Sequence, residues 1–240
     1  MSRVKLLGYE IDSYNFEEAV STGLELINQD KVSQVVTINP EMFDCAKENE
    51  KFSDILKTAE MVIPDGVGVK IGLKISGYNA ERIAGIDFAK RMIEECSKRN
   101  ISVALIGAKN EIVQRACENL KQEYENLKIA YCHDGYFSDD EEILKDLKES
   151  GARLVLVALG SPKQEFFINK AREILPYGLM IGVGGSFDVW SGAVERAPEI
   201  YQKLGMEWLY RTVTQPERFK RIFPALPLFV FKVFKEKFKQ

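Results

Sequence analysis

Residues 153–160 read RLVLVALG and run directly into GSPKQE at 160–165. A run of Val and Leu with no polar alternation is the mark of a strand covered on both faces. The residues that end it, with Ser161 and Pro162 as an N-cap and first-turn pair, open a helix over 163–175. Runs of the same kind occur at QVVTI (34–38), MVIP (61–64), ISVALIG (101–107), LKIAYC (127–132) and LMIGVG (179–184). Amphipathic helical patterns separate them at 16–29, 86–99, 111–124 and 139–149. Strands that alternate with helices predict an α/β fold: a Rossmann-like, mainly parallel sheet with helices on both faces. After Trp190 the pattern changes to a connector, and from 196 no strand pattern remains. The chain therefore divides into a body over 1–195 and a C-terminal helical appendage over 196–240.

The charge is unevenly spread. The chain of 240 residues carries a net charge of −3, yet from Arg211 to Gln240 eight Lys/Arg face only two Asp/Glu. Phenylalanines at 219, 223, 229, 231, 234 and 238 are interleaved with these cations. Rings mixed with lysines suit either packing on the body or an anionic membrane surface. Such rings, if exposed in solution, would also favour a homo-oligomer. No signal peptide opens the chain and no apolar run approaches a bilayer span, so the expected location is cytoplasmic, peripheral to the inner face of the membrane. The acidic body makes a nucleic-acid partner unattractive. Cys45, Cys96, Cys117 and Cys132 form no CxxC, and His133 is the sole histidine. That pattern reads as reduced thiols, with no zinc site and no covalent hydrolase triad.

Ligands of open α/β sheets bind beyond the carboxyl ends of the strands. The loops there are TINPEM, IPDGVG, LIGAKN, CHDGYF, ALGSPKQE and GVGGSFD. Asp65 follows a strand and is either part of a Pro-Asp-Gly turn or a general base. Thr37 and Asn39 end another strand, with Asn39 and Pro40 marking a helix start. Gln164, within GSPKQE and one turn into the helix that the motif opens, can reach the same cleft. Gly107, Tyr136, Gly160 and Gly185 are candidate substrate-binding positions in these loops, and Asp188 would accept from a base or ribose or cap a helix. In GVGGSFD the third glycine of a dinucleotide fingerprint is replaced by Phe187, which weighs against a nicotinamide cofactor. No D-x-D pair marks a divalent clamp, so no metal or other cofactor is expected. Arg211, Arg218 and Arg221 supply either a solvated surface or a set of forked cations for a diphosphate.

TINPEM, the PDGVG around Asp65, ERIAGID (81–87), GSPKQE, and GVGGSFDVWSG followed by RAP (196–198) occur in an order that resembles the WecG/TagA/CpsF glycosyltransferases, glycosyltransferase family 26. The resemblance covers nearly the whole chain. It implies an inverting transfer from a UDP-sugar donor to polyprenyl-diphosphate-linked N-acetylglucosamine. N-acetylmannosamine is the sugar it points to, and another UDP-sugar is the alternative. It further implies that Asp65 is the base, that Thr37, Asn39, Arg82 and Gln164 surround it, and that Arg211, Arg218 and Arg221 reach the diphosphate from an appendage meeting the membrane.

Overall fold

The computed structural model describes residues 3–203, 206, 207, 209, 210 and 219–238. Six strands form one parallel sheet: β3 (Val32–Ile38), β4 (Met61–Pro64), β5 (Val103–Gly107), β6 (Ile129–His133), β7 (Leu154–Ala158) and β8 (Gly178–Gly182), in the order β4-β3-β8-β7-β5-β6. Before it comes a small antiparallel hairpin, β1 (Arg3–Leu6) and β2 (Tyr9–Asp12). The apolar runs are strands because successive side chains serve opposite faces, and both faces are covered. Along β7, Leu154 and Leu156 enter one core while Val155 and Val157 enter another, all four fully buried.

The first face carries α1 (Phe16–Ile27), α5 (Gly85–Lys98), α6 (Asn110–Glu123) and the short α9 (Ser186–Trp190). The opposite face carries α2 (Pro40–Glu48), α3 (Glu50–Thr58), α4 (Gly66–Ile75), α7 (Asp140–Ser150) and α8 (Lys163–Ile174). The C-terminal part contributes α10 (Glu199–Lys203) and α11 (Phe219–Lys237). Thus the α/β class, the parallel sheet and the C-terminal helix all match the sequence expectation.

Several local readings change. Ser161 does not cap α8: Pro162 occupies that position and no side-chain cap bond is made. His133 ends β6 rather than lying in a loop, stacked on Tyr131. The connector after Trp190 holds α10. The hairpin has no apolar run long enough to betray it. Its Asp12 is buried, accepting hydrogen bonds from the Val62 N–H at 2.7 Å and from Arg3 Nε at 2.9 Å, which ties the hairpin to β4.

The largest difference is α4. Its sequence GVGVKIGLKI is poor in helix propensity, each glycine costing about 1 kcal/mol against alanine. Packing reverses that preference. A Cβ on Gly68 would lie 2.6 Å from both Leu226 Cδ1 and Pro40 Cγ, and one on Gly72 would lie 3.0 Å from Phe229 Cε1. The bare backbone therefore lets α11 settle on α4, with Phe229 and Val233 buried beside Val69 and Leu73. Lys232 pairs with Asp44 of α2, and the Glu236 carboxylate accepts from the Leu7 N–H at 3.1 Å.

Replacing Gly68 by leucine should lever α11 away. Overpacking of this kind costs about 1–3 kcal/mol, so the detached fraction should rise roughly five- to hundredfold. Limited trypsin digestion would show it as faster loss of the lysine-rich tail from an intact body. An unchanged tail lifetime would mean that the close approach does not hold the helix.

Candidate active site

The carboxyl end of the sheet gathers most of the candidate residues. Thr37 is the penultimate residue of β3, and Asn39 follows that strand at once. The Asn39 Oδ1 accepts from the Glu41 and Met42 N–H groups at 3.0 and 3.2 Å, which fixes the start of α2 and leaves Nδ2 as the group able to meet a ligand. Asp65 follows β4 at the N-cap position of α4 without making a side-chain cap bond. Its backbone N–H donates to Ile38 O at 2.9 Å, so the ends of β3 and β4 are locked side by side.

The chain then returns to the same place. Ile83 N–H donates to Pro64 O at 3.0 Å, which brings Arg82 and Gly85 beside Asp65. Burial is the largest influence on the Asp65 carboxyl and raises its pKa. The Arg82 guanidinium and the Gly85 and Gly66 N–H groups oppose that rise, and Glu207 adds to it. As a residue Asp65 keeps part of its surface, so this is an enclosed carboxyl and not an inaccessible one. A raised pKa makes it a stronger proton acceptor once ionised.

Contacts continue across the sheet from there. Gly85 is held so close to Thr37 that a Cβ on it would lie 2.9 Å from Thr37 Cγ2. Thr37 Oγ1 donates to Gly182 O at 3.5 Å, a long bond. A Cβ on Gly182 would in turn meet Gln164 Nε2 at 2.4 Å. Gln164 is buried, accepting from Gly184 N–H at 3.1 Å and donating to Glu165 Oε1 at 2.8 Å. Asp65, Arg82, Thr37 and Gln164 are therefore links in one line of contacts spanning β4, β3, β8 and the first turn of α8.

A second group of candidates lies further along the sheet. Connections leave β5 and β7 in opposite directions, since β5 is followed by its outer neighbour β6 and β7 by its inner neighbour β8. α6 and α8 consequently cover opposite faces, and a crevice forms between the two strand ends, where open α/β sheets bind nucleotides. Gly107 stands there with φ of +125°, and a Cβ on it would lie 2.4 Å from Ala158 O. Gly160 follows β7 on the same rim. Gly135 N–H donates to Ala108 O at 2.8 Å, which draws the β6 loop and the exposed Tyr136 ring to this crevice. Gly185 and Asp188 belong to the start of α9, beyond β8; Asp188 is half-buried.

The arginine candidates fare differently. Arg211 and Arg218 lie outside the described residues; the backbone of Arg221 is in α11, and its side chain lies outside the described part. Among the described residues Arg82 belongs to an ionic cluster whose other members the sequence had not singled out. Glu207 receives Arg82 Nη2 at 3.1 Å and Arg196 Nη2 at 3.5 Å, and Arg196 forks onto Asp87 at 2.6 and 2.7 Å. The signal was present in ERIAGID and RAP, which contain Arg82, Asp87 and Arg196. Glu207 had none. A cavity of about 650 Å³ is walled by Arg82 and Glu207 on one side and by Val67, Lys70, Ile71 and Lys74 of α4 on another. Asp65 stands two residues before Val67 and is coupled to Arg82, so the cavity ends against its neighbours.

Comparison with known proteins gives the chain a family. The family described as "Glycosyl transferase WecG/TagA/CpsF family" matches residues 4–240. An N-acetylglucosaminyldiphosphoundecaprenol N-acetyl-beta-D-mannosaminyltransferase of Bacillus spizizenii is 36% identical over 210 residues, which is 87% of this chain and 81% of the relative. The protein of the same name in Bacillus subtilis is 36% identical over 208 residues, 86% of this chain and 81% of its own length. The chain belongs to the WecG/TagA/CpsF family of glycosyl transferases.

Proposed function

We propose that this enzyme transfers N-acetylmannosamine from UDP to the 4-hydroxyl of N-acetylglucosamine on undecaprenyl diphosphate, with inversion, using Asp65 as the base. The observation that carries the reading is the enclosed Asp65 carboxyl at the end of β4, beside Arg82 and a cavity of hexose-accommodating size. The two relatives bear the name of this activity.

Donor and acceptor take different places along the strand ends. The crevice between β5 and β7 receives the nucleotide, with Gly107 and Gly160 allowing close backbone approach and Tyr136 and Asp188 flanking the base and ribose. From there to β4 is three to four strand spacings, roughly 14–19 Å, about the reach of an extended nucleotide-sugar. The hexose of the donor therefore arrives near Thr37, Asn39 and Gln164. Asp65 removes the proton of the attacking hydroxyl as that oxygen bonds to the anomeric carbon, and UDP leaves from the opposite side. Negative charge grows on the departing diphosphate. Arg211, Arg218 and Arg221 of the C-terminal appendage are the cations assigned to it.

The amphiphilic acceptor calls for a membrane-facing surface. No helix among the described residues is long and apolar enough to cross a membrane. α11 offers an alternative way to meet one. Phe229 and Val233 point into the core, while Leu228, Phe231, Phe234 and Phe238 form an exposed stripe on the far side, Phe238 being 75% exposed. Lys235 and Lys237 lie in the same last turns. Rings flanked by lysines favour the boundary of an anionic bilayer.

Two outcomes test this reading. Asp65→Asn should lower turnover roughly a hundred- to ten-thousandfold, while the thermal stabilisation given by UDP persists. The same change should raise Tm at neutral pH. A carboxyl whose pKa is raised by folding binds its proton more tightly in the folded chain, so its charge weakens the fold above the ordinary value. The Tm gain should accordingly vanish as pH falls toward 3.8. Turnover that survives would remove Asp65 from the chemistry. The second outcome concerns Phe231→Glu with Phe234→Glu. Each buried ring contributes about 1.5–3 kcal/mol, so flotation with phosphatidylglycerol vesicles should weaken by roughly a hundredfold or more, with the Tm of the body unchanged. Undiminished flotation would separate this stripe from the membrane.

A further inference from the structure

α4 has two working sides. Gly68 and Gly72 accept α11, whereas Val67, Lys70, Ile71 and Lys74 recur at helical spacing about a third of a turn away and line the 650 Å³ cavity. The lysines are exposed, and among the described residues they form no ion pair. Ile71 keeps 38% of its surface open, although an isoleucine beside two unpaired cations gains nothing from water. Phe16, at the start of α1, adds a ring to the same cavity.

Two of the three wall carboxylates are paired. Asp87 is forked by Arg196, and Glu207 is held by Arg82 and Arg196. Glu81 is the one wall carboxylate without an ion pair among the described residues, against two such lysines. A surplus of flexible ammonium groups next to Val67, Ile71 and Phe16 calls for a ligand that is anionic at one point and apolar just beyond it. Lys70 and Lys74 stand one turn apart, about 6 Å along the axis, so each can reach one phosphoryl group of a diphosphate. Arg82 closes the inner end, where its guanidinium acts on Asp65.

We propose that this side of α4 is the seat of the acceptor, a prenyl diphosphate-linked sugar: Lys70 and Lys74 hold its diphosphate, and Val67, Ile71 and Phe16 cover its first isoprene units. The inference rests on the transferase reading and adds residues to it. The acceptor's sugar then lies inward, toward Arg82 and Asp65, with its lipid leading out along α4. Gln202 and Glu207 form part of the same wall, so the seat is complete only with the start of the C-terminal part in place.

The test uses the full chain, a water-soluble short-prenyl diphosphate-linked N-acetylglucosamine, and no vesicles, so that membrane recruitment plays no part. The double variant Lys70→Gln, Lys74→Gln should raise KM for this acceptor roughly ten- to hundredfold. KM for the UDP-sugar and the UDP-induced thermal shift should stay as in the wild type. Calorimetric titration supplies a readout independent of turnover. Farnesyl diphosphate and inorganic pyrophosphate should both bind more weakly to the double variant. Ile71→Ser, which removes apolar surface without adding charge, should weaken farnesyl diphosphate alone. An acceptor KM unaffected by the double variant, or a donor KM that rises by the same factor, would overturn the assignment. Absence of transfer by the wild type with any UDP-sugar would instead sink the transferase reading, and the farnesyl diphosphate titration would still decide whether the cavity is a prenyl diphosphate site.

Discussion

Holding an ionisable carboxyl at the end of β4, largely out of water, is the constraint around which this part of the molecule is organised. Burial alone disfavours the charge of Asp65, and the protein compensates locally with Arg82 and with N–H groups from Gly85 and Gly66. Arg82 is itself balanced by Glu207, which is shared with Arg196, which is forked to Asp87. The network links β4, the segment around residue 82, α5 and the C-terminal part. Altering any member changes the electrostatics at Asp65.

Its position also follows from topology. A parallel sheet brings all its carboxyl ends to one rim, so residues far apart in sequence meet without a dedicated fold of their own. β4 is at the outer edge of the sheet, which leaves one flank of Asp65 to be covered by α4 and the return of the chain at Ile83. The crevice between the ends of β5 and β7 is separated from Asp65 by β8 and β3. Gln164 and Thr37 lie between.

The sequence reveals the sheet more readily than the site. Val and Leu runs such as 154–158 can be only buried strands in a chain that alternates with amphipathic helices, and the capping signal of Asn39 and Pro40 is local. α4 was obscured because its glycines oppose a helix by propensity and are explained by neighbours remote in sequence, above all Leu226 and Phe229, more than 150 residues away. The hairpin of β1 and β2 was hidden by strands of four residues each, too short to show a period. At the candidate site, Asp65 and Thr37 were legible as strand-end polar groups and Gln164 as a residue of the first turn of the helix after β7. Glu207 was not, because its importance comes wholly from which arginines it meets in space.

The final helix shares its core with the first strand. Val4, Leu6 and Ile11 pack in one cluster with Phe229 and Val233, and Leu7 N–H is capped by Glu236. During synthesis the hairpin emerges together with β4, α2 and α3, which pack against it early. The part of its apolar side that Phe229 and Val233 cover stays open until α11 follows, and only then does this part of the interior close.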